Sequence, residues 1–247
     1  MKHPKTAKDY LVFALDVPTL TEAEQYVRLL GDHVGMFKVG LELFIREGRP
    51  VIDLIQETTP AGVFLDLKLY DIPATVSRAM KNIAGMGVAL TTVHCAGQKD
   101  MLKAARDAAG DAVGILGVTV LTSISANDIE EAGFSEEFFR DISRLVSKRA
   151  AMAAECGFAG IVCSPLEARS VKQQFGQQFL AVTPGVRPDR GGIAGDDQQR
   201  VLTPQAAVQN GSDYLVIGRP IRDADDPRAM ADQICQQIRA GMDAVAS

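Results

Sequence analysis

Three charged side chains stand in or beside one short apolar stretch, and their types and spacing suit acid–base or charge-stabilising chemistry. Residues 63–69 (VFLDLKL) alternate as a β-strand does, and residues two apart in a strand share a face, so Asp66 and Lys68 point the same way. Asp71 follows in the expected loop, and Pro73 suits the first turn of a helix. Such charges are costly to bury unless they are paired. Spacing alone leaves two interpretations open, a structural ion pair or an active site.

Short apolar runs alternate with helix-periodic segments along the whole chain. Eight of these runs are typical of strands that are buried on both faces, as in a parallel sheet. They are residues 10–16, 35–40, 63–69, 88–94, 112–121, 159–163, 179–183 and 213–217. Eight strands alternating with helices predict an α/β fold, a closed (β/α)8 barrel of the TIM type. An open doubly wound sheet is the alternative, and it predicts a glycine-rich turn after the first strand, which the sequence DVPT beginning at Asp16 lacks.

Between these strands, apolar residues recur with the period of a helix. The predicted helices cover residues 23–30, 43–57, 74–86, 100–109, 128–132, 135–156, 166–175 and 226–242. Thr21 with Glu24 has the spacing of a capping box, which predicts where the first helix begins.

Length and composition favour one soluble domain. The 247 residues match a single barrel of roughly 250 residues, and no linker rich in Pro, Gly or Ser divides residues 1–247. The net charge of −5 argues against binding to nucleic acid or to anionic membranes. No segment resembles a secretory signal or a membrane span, and the four cysteines form no Cys-x-x-Cys pair. We therefore expect a cytoplasmic protein with free thiols.

The histidines indicate no metal site. His3, His33 and His94 lack a partner at metal-ligand spacing, so we expect no bound metal. His94 ends an apolar run, and we interpret it as a hydrogen-bonded core histidine rather than as a pocket residue.

Polar residues recur at the carboxyl ends of the predicted strands. In a barrel these ends converge on one mouth, where active sites lie. The residues are Asp16, Lys38, Asp66, Lys68, Asp71, Thr122, Arg187 and Arg219. Each alone has a structural explanation, for example Asp16 as a helix cap or Lys38 as a side chain that extends to water. Their joint placement predicts one functional site.

Two segments near the end of the chain are typical of a phosphate site. Residues 183–187 (TPGVR) leave the seventh strand toward a polar, glycine-rich loop at 191–199, and residues 217–219 (IGR) leave the eighth. Loops after strands seven and eight are the usual phosphate position in barrels. Gly218 lets backbone N–H groups approach an anion, and Arg219 can bind it through two hydrogen bonds. The alternative is a surface arginine beside a turn glycine.

The stretch around Asp66 resembles the signature of the orotidine 5′-monophosphate decarboxylase family, Asp-x-Lys-x-x-Asp-Ile-Pro-x-Thr. The matching residues are Asp66, Lys68, Asp71, Ile72, Pro73 and Thr75. Further segments resemble the same family, in order, at residues 15–18, 37–40, 93–94, 118–123, 183–187, 195–198 and 216–219. The shorter core Asp-x-Lys-x-x-Asp is shared by related barrel enzymes that act on sugar phosphates.

This resemblance implies orotidine 5′-monophosphate as the substrate, no cofactor, and a role for each matched residue. Asp16 and Lys38 would hold the ribose hydroxyls, and Thr122 would contact the pyrimidine edge. Pro184 would also line the substrate site. The phosphate side would comprise Arg187, Gln198, Gly218 and Arg219, with Gln198 preferred over Gln199 by counting back from Arg200. Asp71, Ile72 and Thr75 would reach into the neighbouring subunit's site, which implies a homodimer.

The expected chemistry uses fixed charge. Decarboxylation at C6 of the pyrimidine leaves a carbanion with little resonance stabilisation. Lys38, Asp66, Lys68 and Asp71 would form one network that keeps both lysines protonated. Asp66 would lie near the substrate carboxylate, while Lys68 would stabilise the developing charge and protonate C6. Phosphate binding would supply energy that closes the loop after the seventh strand.

Two other functions stay open from the residues. A sugar-phosphate decarboxylase or aldolase of the same superfamily would use Mg²⁺ at the acidic cluster, where the cation of Lys38 would repel the metal. A non-catalytic nucleotide-binding barrel would not need the set of acids and lysines. A spectrophotometric assay with orotidine 5′-monophosphate, run with and without a chelator, separates these functions.

Overall fold

Eight parallel strands close into a barrel in the order of the chain. The computed structural model describes residues 4–188 and 201–246. The strands are β1 (Leu11–Ala14), β2 (Met36–Val39), β3 (Gly62–Leu69), β4 (Leu90–His94), β5 (Gly114–Val118), β6 (Gly160–Val162), β7 (Leu180–Thr183) and β8 (Tyr214–Ile217). Each strand pairs with the next, and β8 pairs with β1 to close the sheet. The predicted (β/α)8 barrel is confirmed, and the open doubly wound sheet is wrong.

Helices connect the strands in the described parts of the chain. They are α1 (Ala7–Tyr10), α2 (Leu20–Leu30), α3 (Leu41–Glu47), α4 (Arg49–Thr58), α5 (Pro73–Ala84), α6 (Lys99–Ala109), α7 (Ala126–Glu131), α8 (Glu136–Arg140), α9 (Ile142–Glu155), α10 (Ala168–Phe175), α11 (Pro204–Gln209), α12 (Arg219–Arg222) and α13 (Pro227–Ala246). Among these helices, none has the length and apolar character that a bilayer crossing requires. The sequence analysis does not predict α1, α11 and α12, which have only four to six residues each.

The first long helix begins earlier than the sequence predicts. Thr19 caps α2, because its Oγ1 accepts a hydrogen bond from the N–H of Glu22 at 3.2 Å. The capping box predicted at Thr21 and Glu24 is therefore wrong. Thr19 and Glu22 have the same Thr-x-x-Glu spacing as Thr21 and Glu24. Because the helix begins after Thr19, it is longer than predicted.

Two predicted helices are each divided in the structure. Gly48 has a φ of +65° and separates α3 from α4 within the helix predicted over 43–57. Glycine adopts this left-handed conformation without steric cost, so it ends a helix readily. Asp141 divides the helix predicted over 135–156, because its side chain accepts from the N–H of Ser143 at 3.1 Å and caps α9.

Side chains fill the barrel in layers, and the layer at the carboxyl end is polar. The apolar interior consists of Val12, Ala14, Met36, Phe64, Leu90, Leu116, Leu180, Val182, Tyr214 and Val216. Because alternate residues of a strand share a face, Met36 is followed on the inside by Lys38, and Phe64 by Asp66. A larger apolar cluster joins the outer faces of the strands to the helices. The two cores together support a charged layer at one mouth of the barrel.

A buried ion pair stabilises the amino-terminal ends of β7 and β8, at the end of the barrel opposite the charged layer. Lys172 Nζ lies 2.6 Å from Asp213 Oδ2 and donates to the carbonyl of Phe179 at 2.9 Å. The same carboxylate oxygen accepts from the N–H of Ala181 at 2.7 Å. Lys172 and Asp213 are 5% and 8% exposed. Removal of one partner would leave the other charge buried without compensation.

We expect the substitution Lys172→Met to lower the free energy of unfolding by about 3–5 kcal/mol, because the Asp213 carboxylate loses its cation in a buried place. Urea unfolding followed by circular dichroism measures this loss. The double variant Lys172→Met, Asp213→Asn removes both charges and should recover part of it. A loss in the single variant no larger than that of an exposed pair, about 1 kcal/mol or less, would contradict the assigned role.

Candidate active site

Asp66 and Lys68 form an ion pair on β3 at the mouth of the barrel. Lys68 Nζ lies 2.8 Å from Asp66 Oδ2. The Asp66 side chain is 12% exposed and the Lys68 side chain 32% exposed. Both side chains line a cavity of about 230 Å³, so a small molecule can reach them. This accessibility favours the active-site interpretation over a purely structural ion pair.

An irregular pairing of β3 with β4 accompanies this ion pair. Leu65 pairs with Thr91, but the next pair is Leu69 with Val93, so β3 carries extra residues at this point. Lys68 has a φ of +50°, a left-handed conformation that costs a residue with a side chain roughly 1–2 kcal/mol. Such strain persists only where surrounding contacts impose it, and it is frequent at functional sites.

Thr92 of β4 is a site residue that the sequence analysis does not identify. Its side chain is fully buried. The hydroxyl donates to Asp66 Oδ1 at 2.9 Å and accepts from the N–H of Lys68 at 2.8 Å. The signal in the sequence is a pair of threonines, Thr91 and Thr92, inside an otherwise apolar strand.

A second ion pair joins β2 to the segment that follows β1. Lys38 Nζ lies 2.9 Å from Asp16 Oδ1, with the Lys38 side chain 11% exposed and the Asp16 side chain 52% exposed. The contact follows because β1 and β2 are neighbours in the sheet. In the described residues Lys38 pairs with Asp16 and Lys68 pairs with Asp66. The network of Lys38, Asp66, Lys68 and Asp71 stays a prediction, because it includes a residue of the neighbouring subunit.

An arginine-rich cavity of about 410 Å³ opens beside this second ion pair. It is lined by Ala14, Asp16, Lys38, Pro184, Gly185, Arg187, Val216, Gly218, Arg219 and Arg222. Arg187 is 8% exposed, and its Nη1 donates to the carbonyl of Val186 at 3.0 Å. A β-carbon at Gly218 would lie 3.1 Å from the β-carbon of Ala14, so a larger residue would reduce the space. The concentration of guanidinium groups suits an anionic group of a ligand.

Arg222 is a further arginine of this cavity that the sequence analysis does not single out. Its Nη1 donates to the carbonyl of Asp16 at 3.0 Å, and its Nε lies 2.6 Å from Asp223 Oδ1. The hydrogen bond between the two side chains raises the pKa of Arg222 and lowers that of Asp223. Arg222 therefore helps to hold Asp16 in place. Its signal in the sequence is the spacing of three residues from Arg219, which places both on one side of a helical turn.

The cavity around Lys68 is largely apolar. It is lined by Lys38, Phe64, Asp66, Lys68, Val118, Val120, Leu121, Thr122, Ser123, Val162, Cys163, Pro184 and Val216. Lys38, Pro184 and Val216 also line the arginine-rich cavity, so the two cavities form one cleft. A ligand with an anion at one end and a flat ring at the other fits this cleft, with the ring beside Lys68.

The structure brings most of the predicted site residues to this cleft. Those that line it are Asp16, Lys38, Asp66, Lys68, Thr122, Pro184, Arg187, Gly218 and Arg219. Asp71, Ile72 and Thr75 lie apart from both cavities in the single chain. The Asp71 carboxylate accepts from the N–H of Ile72 at 2.6 Å, and Ile72 is 65% exposed. Gln198 lies outside the described residues.

His94 is half-buried at the end of β4 rather than enclosed in the core, and it has one local hydrogen bond. Its Nδ1 accepts from the N–H of Ala96 at 3.2 Å. Burial, together with the charges of Arg149 and Lys68, lowers the pKa of His94. Within residues 4–188 and 201–246, the side chains of His, Cys, Asp and Glu form no group of three or more that could hold a metal ion.

Fold and cleft together define a class of protein. A parallel barrel with a lysine–aspartate pair beside an arginine-rich anion site, both at the carboxyl ends of the strands, is typical of barrel enzymes that act on phosphorylated substrates. The profile of the orotidine 5′-phosphate decarboxylase / HUMPS family matches residues 9–234. The chain belongs to this family, which confirms the resemblance seen in the sequence.

Individual proteins with the name of this family are similar to the chain over nearly its whole length. The chain is 61% identical over 239 residues to a protein of Desulfosudis oleivorans named orotidine 5′-phosphate decarboxylase, with 96% of each chain covered. A protein of Syntrophus aciditrophicus with the same name is 43% identical over 249 residues, with 97% of each chain covered. The crystal structure of orotidine 5′-phosphate decarboxylase from Lactobacillus acidophilus superposes with a TM-score of 0.81 at 35% identity, covering 97% of this chain and 100% of the other.

Proposed function

We propose that this chain decarboxylates orotidine 5′-monophosphate to uridine 5′-monophosphate and CO2, a step of pyrimidine biosynthesis. The observation that carries the proposal is the pair of Lys68 and Asp66 at the apolar end of a cleft whose other end is lined by arginines. Family membership and the shared name of relatives at 61% and 43% identity support it. We further propose that residues 1–247 form one cytoplasmic domain that needs neither metal nor coenzyme and binds neither nucleic acid nor membranes.

The two ends of the cleft suit the two ends of this substrate. The phosphate side would comprise Arg187, Gln198, Gly218 and Arg219. The ribose hydroxyls would hydrogen-bond to Asp16 and Lys38, whose side chains are already 2.9 Å apart. The pyrimidine would occupy the apolar end beside Lys68, with Thr122 at its edge and Pro184 against the ring. This arrangement places C6 of the ring next to the only charges that line the apolar end in the described residues, Lys38, Asp66 and Lys68.

Lys68 and Asp66 would act on the carboxylate at C6. As the bond between C6 and the carboxylate breaks, its electron pair stays on C6 and CO2 leaves. The ammonium of Lys68 stabilises this negative charge and transfers a proton to C6, and the resulting amine recovers a proton from solvent. The Asp66 carboxylate repels the bound substrate carboxylate, and the departure of CO2 relieves that repulsion. Binding of the remote phosphate offsets the repulsion in the ground state.

Asp71, Ile72 and Thr75 would complete the site of the neighbouring subunit in a homodimer. Ile72 is 65% exposed, and Tyr70, two residues before it, is 61% exposed. Large apolar side chains at this exposure favour an interface, and a twofold dimer uses the same patch on both subunits. Asp71, exposed in the single chain, would then approach the partner subunit's Lys68.

A magnesium-dependent sugar-phosphate decarboxylase or aldolase receives less support from the cleft. Its metal would need carboxylates at the mouth of the barrel. Asp16 and Asp66 are each paired with a lysine ammonium, at 2.9 Å and 2.8 Å, and these cations would repel a divalent ion. A non-catalytic binding barrel would have no need for the left-handed backbone at Lys68.

The substitution Lys68→Ala should reduce kcat for orotidine 5′-monophosphate by at least about 10³-fold, because it removes both the general acid and the stabilising cation. Binding of uridine 5′-monophosphate should survive, since the arginines are unchanged. The decrease in ultraviolet absorbance measures kcat, and calorimetry measures binding. Lys103→Ala, an exposed lysine of α6, is the matched control and should leave both unchanged. Near-normal decarboxylation by Lys68→Ala would rule out the assigned role.

The substitution Arg219→Ala should raise KM by about 10–100-fold, because a charge-assisted hydrogen bond to phosphate contributes about 1.5–3 kcal/mol. With orotidine, which lacks the phosphate, wild type and Arg219→Ala should have the same kcat/KM. Arg239→Ala on α13, an exposed arginine, serves as the control. Equal loss of kcat/KM for both substrates would show that Arg219 does not bind the phosphate.

Mixing two inactive variants tests the shared site. Lys68→Ala and Asp71→Ala should each be nearly inactive as homodimers. If Asp71 acts in the neighbouring site, a heterodimer of the two has one intact site and one site with both defects. Random exchange of subunits at equal concentrations should therefore restore about a quarter of the wild-type activity. Absence of recovery after proven subunit exchange would place Asp71 outside the partner's site.

A further inference from the structure

Thr92 hydrogen-bonds to both Asp66 and Lys68, the site residues of β3, and no other described side chain does so. Its hydroxyl donates to Asp66 Oδ1 at 2.9 Å and accepts from the backbone N–H of Lys68 at 2.8 Å. A hydroxyl has one proton, and the N–H can only donate, so the proton must point to the carboxylate. Thr92 is fully buried, and its hydrogen bond to Asp66 is buried as well.

The irregular pairing of β3 with β4 explains why a side chain is needed here. Between the pair Leu65 with Thr91 and the pair Leu69 with Val93, β3 has three residues (66 to 68) where β4 has one, Thr92. A regular ladder cannot satisfy the backbone of such a bulge. The Thr92 hydroxyl accepts a hydrogen bond from the partly buried N–H of Lys68 in place of a strand partner.

The same contact bears on the conformation of Lys68. The φ of +50° at this residue is unfavourable for a side chain larger than glycine's hydrogen. The hydrogen bond from its N–H fixes the backbone at that point, and the bond from Thr92 to Asp66 Oδ1 leaves Oδ2 to pair with Lys68 Nζ at 2.8 Å. One hydroxyl thus holds both partners of the ion pair, the carboxylate directly and the lysine through its backbone.

We propose that Thr92 is a positioning residue that fixes the Lys68 ammonium and the Asp66 carboxylate in the orientation required for decarboxylation. The inference rests on the proposed roles of Lys68 and Asp66. This role of Thr92 requires the hydroxyl group of the side chain but not its methyl group. Serine should therefore replace threonine, whereas valine, which has the same shape without the hydroxyl, should not.

The test compares steady-state kinetics of Thr92→Val, Thr92→Ser and Thr91→Val. Thr91 is the matched control, because it is also buried on β4 and its hydroxyl donates to the carbonyl of Leu65 at 2.9 Å and to neither side chain of the ion pair. For Thr92→Val we expect kcat to fall on the order of 10–100-fold with KM changed by less than about threefold, because misplaced reacting groups lose rate rather than binding. Thr92→Ser and Thr91→Val should keep kcat within about threefold of wild type.

Unfolding midpoints separate positioning from loss of stability. Thr92→Val and Thr91→Val each remove one buried hydroxyl, so both should lower the midpoint, and only the first should lower kcat strongly. Thr92→Ala removes the hydroxyl without adding a methyl group and replaces Thr92→Val if that variant does not fold. A wild-type kcat in folded Thr92→Val or Thr92→Ala, or equal losses of kcat in Thr91→Val and Thr92→Val, would overturn the inference. Activity of Lys68→Ala would instead refute the proposed function, so the two failures are distinguishable.

Discussion

The ion pair between Asp66 and Lys68 is the interaction on which the rest of the site depends. Two opposite charges near the end of an apolar strand are stable only when their remaining hydrogen-bonding positions are satisfied. Here one carboxylate oxygen faces the ammonium and the other faces the hydroxyl of Thr92. Because these groups are held before a substrate arrives, they need little rearrangement as charge develops, which is the condition for strong electrostatic stabilisation. The left-handed backbone of Lys68 is part of the cost of this arrangement.

The barrel separates binding from chemistry along one cleft. Apolar side chains fill its interior below the mouth, and the alternation of each strand then presents Lys38 and Asp66 one layer higher. The loops after β7 and β8 bring arginines to one end of the cleft, and the strands β3 and β5 bring the ion pair and an apolar wall to the other. In the proposed binding mode a substrate held by its phosphate would present its ring to these charges, and the remote contacts would contribute to the rate rather than to affinity alone.

The sequence predicts the features that depend on local period and misses those that depend on contact between strands. Alternation over 63–69 places Asp66 and Lys68 on one face, and eight apolar runs indicate the closed barrel. The partner of Lys38 is not predictable in this way, because it depends on which aspartate a neighbouring strand presents. Thr92 escapes notice for the same reason, since its role arises from an irregular pairing with β3. Gly48 divides a helix through its own backbone conformation, which no apolar period records.

We propose that lysine and aspartate side chains of this chain suffice to decarboxylate orotidine 5′-monophosphate. The most direct measurement is the ultraviolet assay of the purified protein after exhaustive treatment with a chelator, repeated with added Mg²⁺. We expect full turnover in the chelated sample, with uridine 5′-monophosphate as product and no increase on adding metal. A substrate that stays unchanged, or turnover that requires the metal, would contradict this proposal.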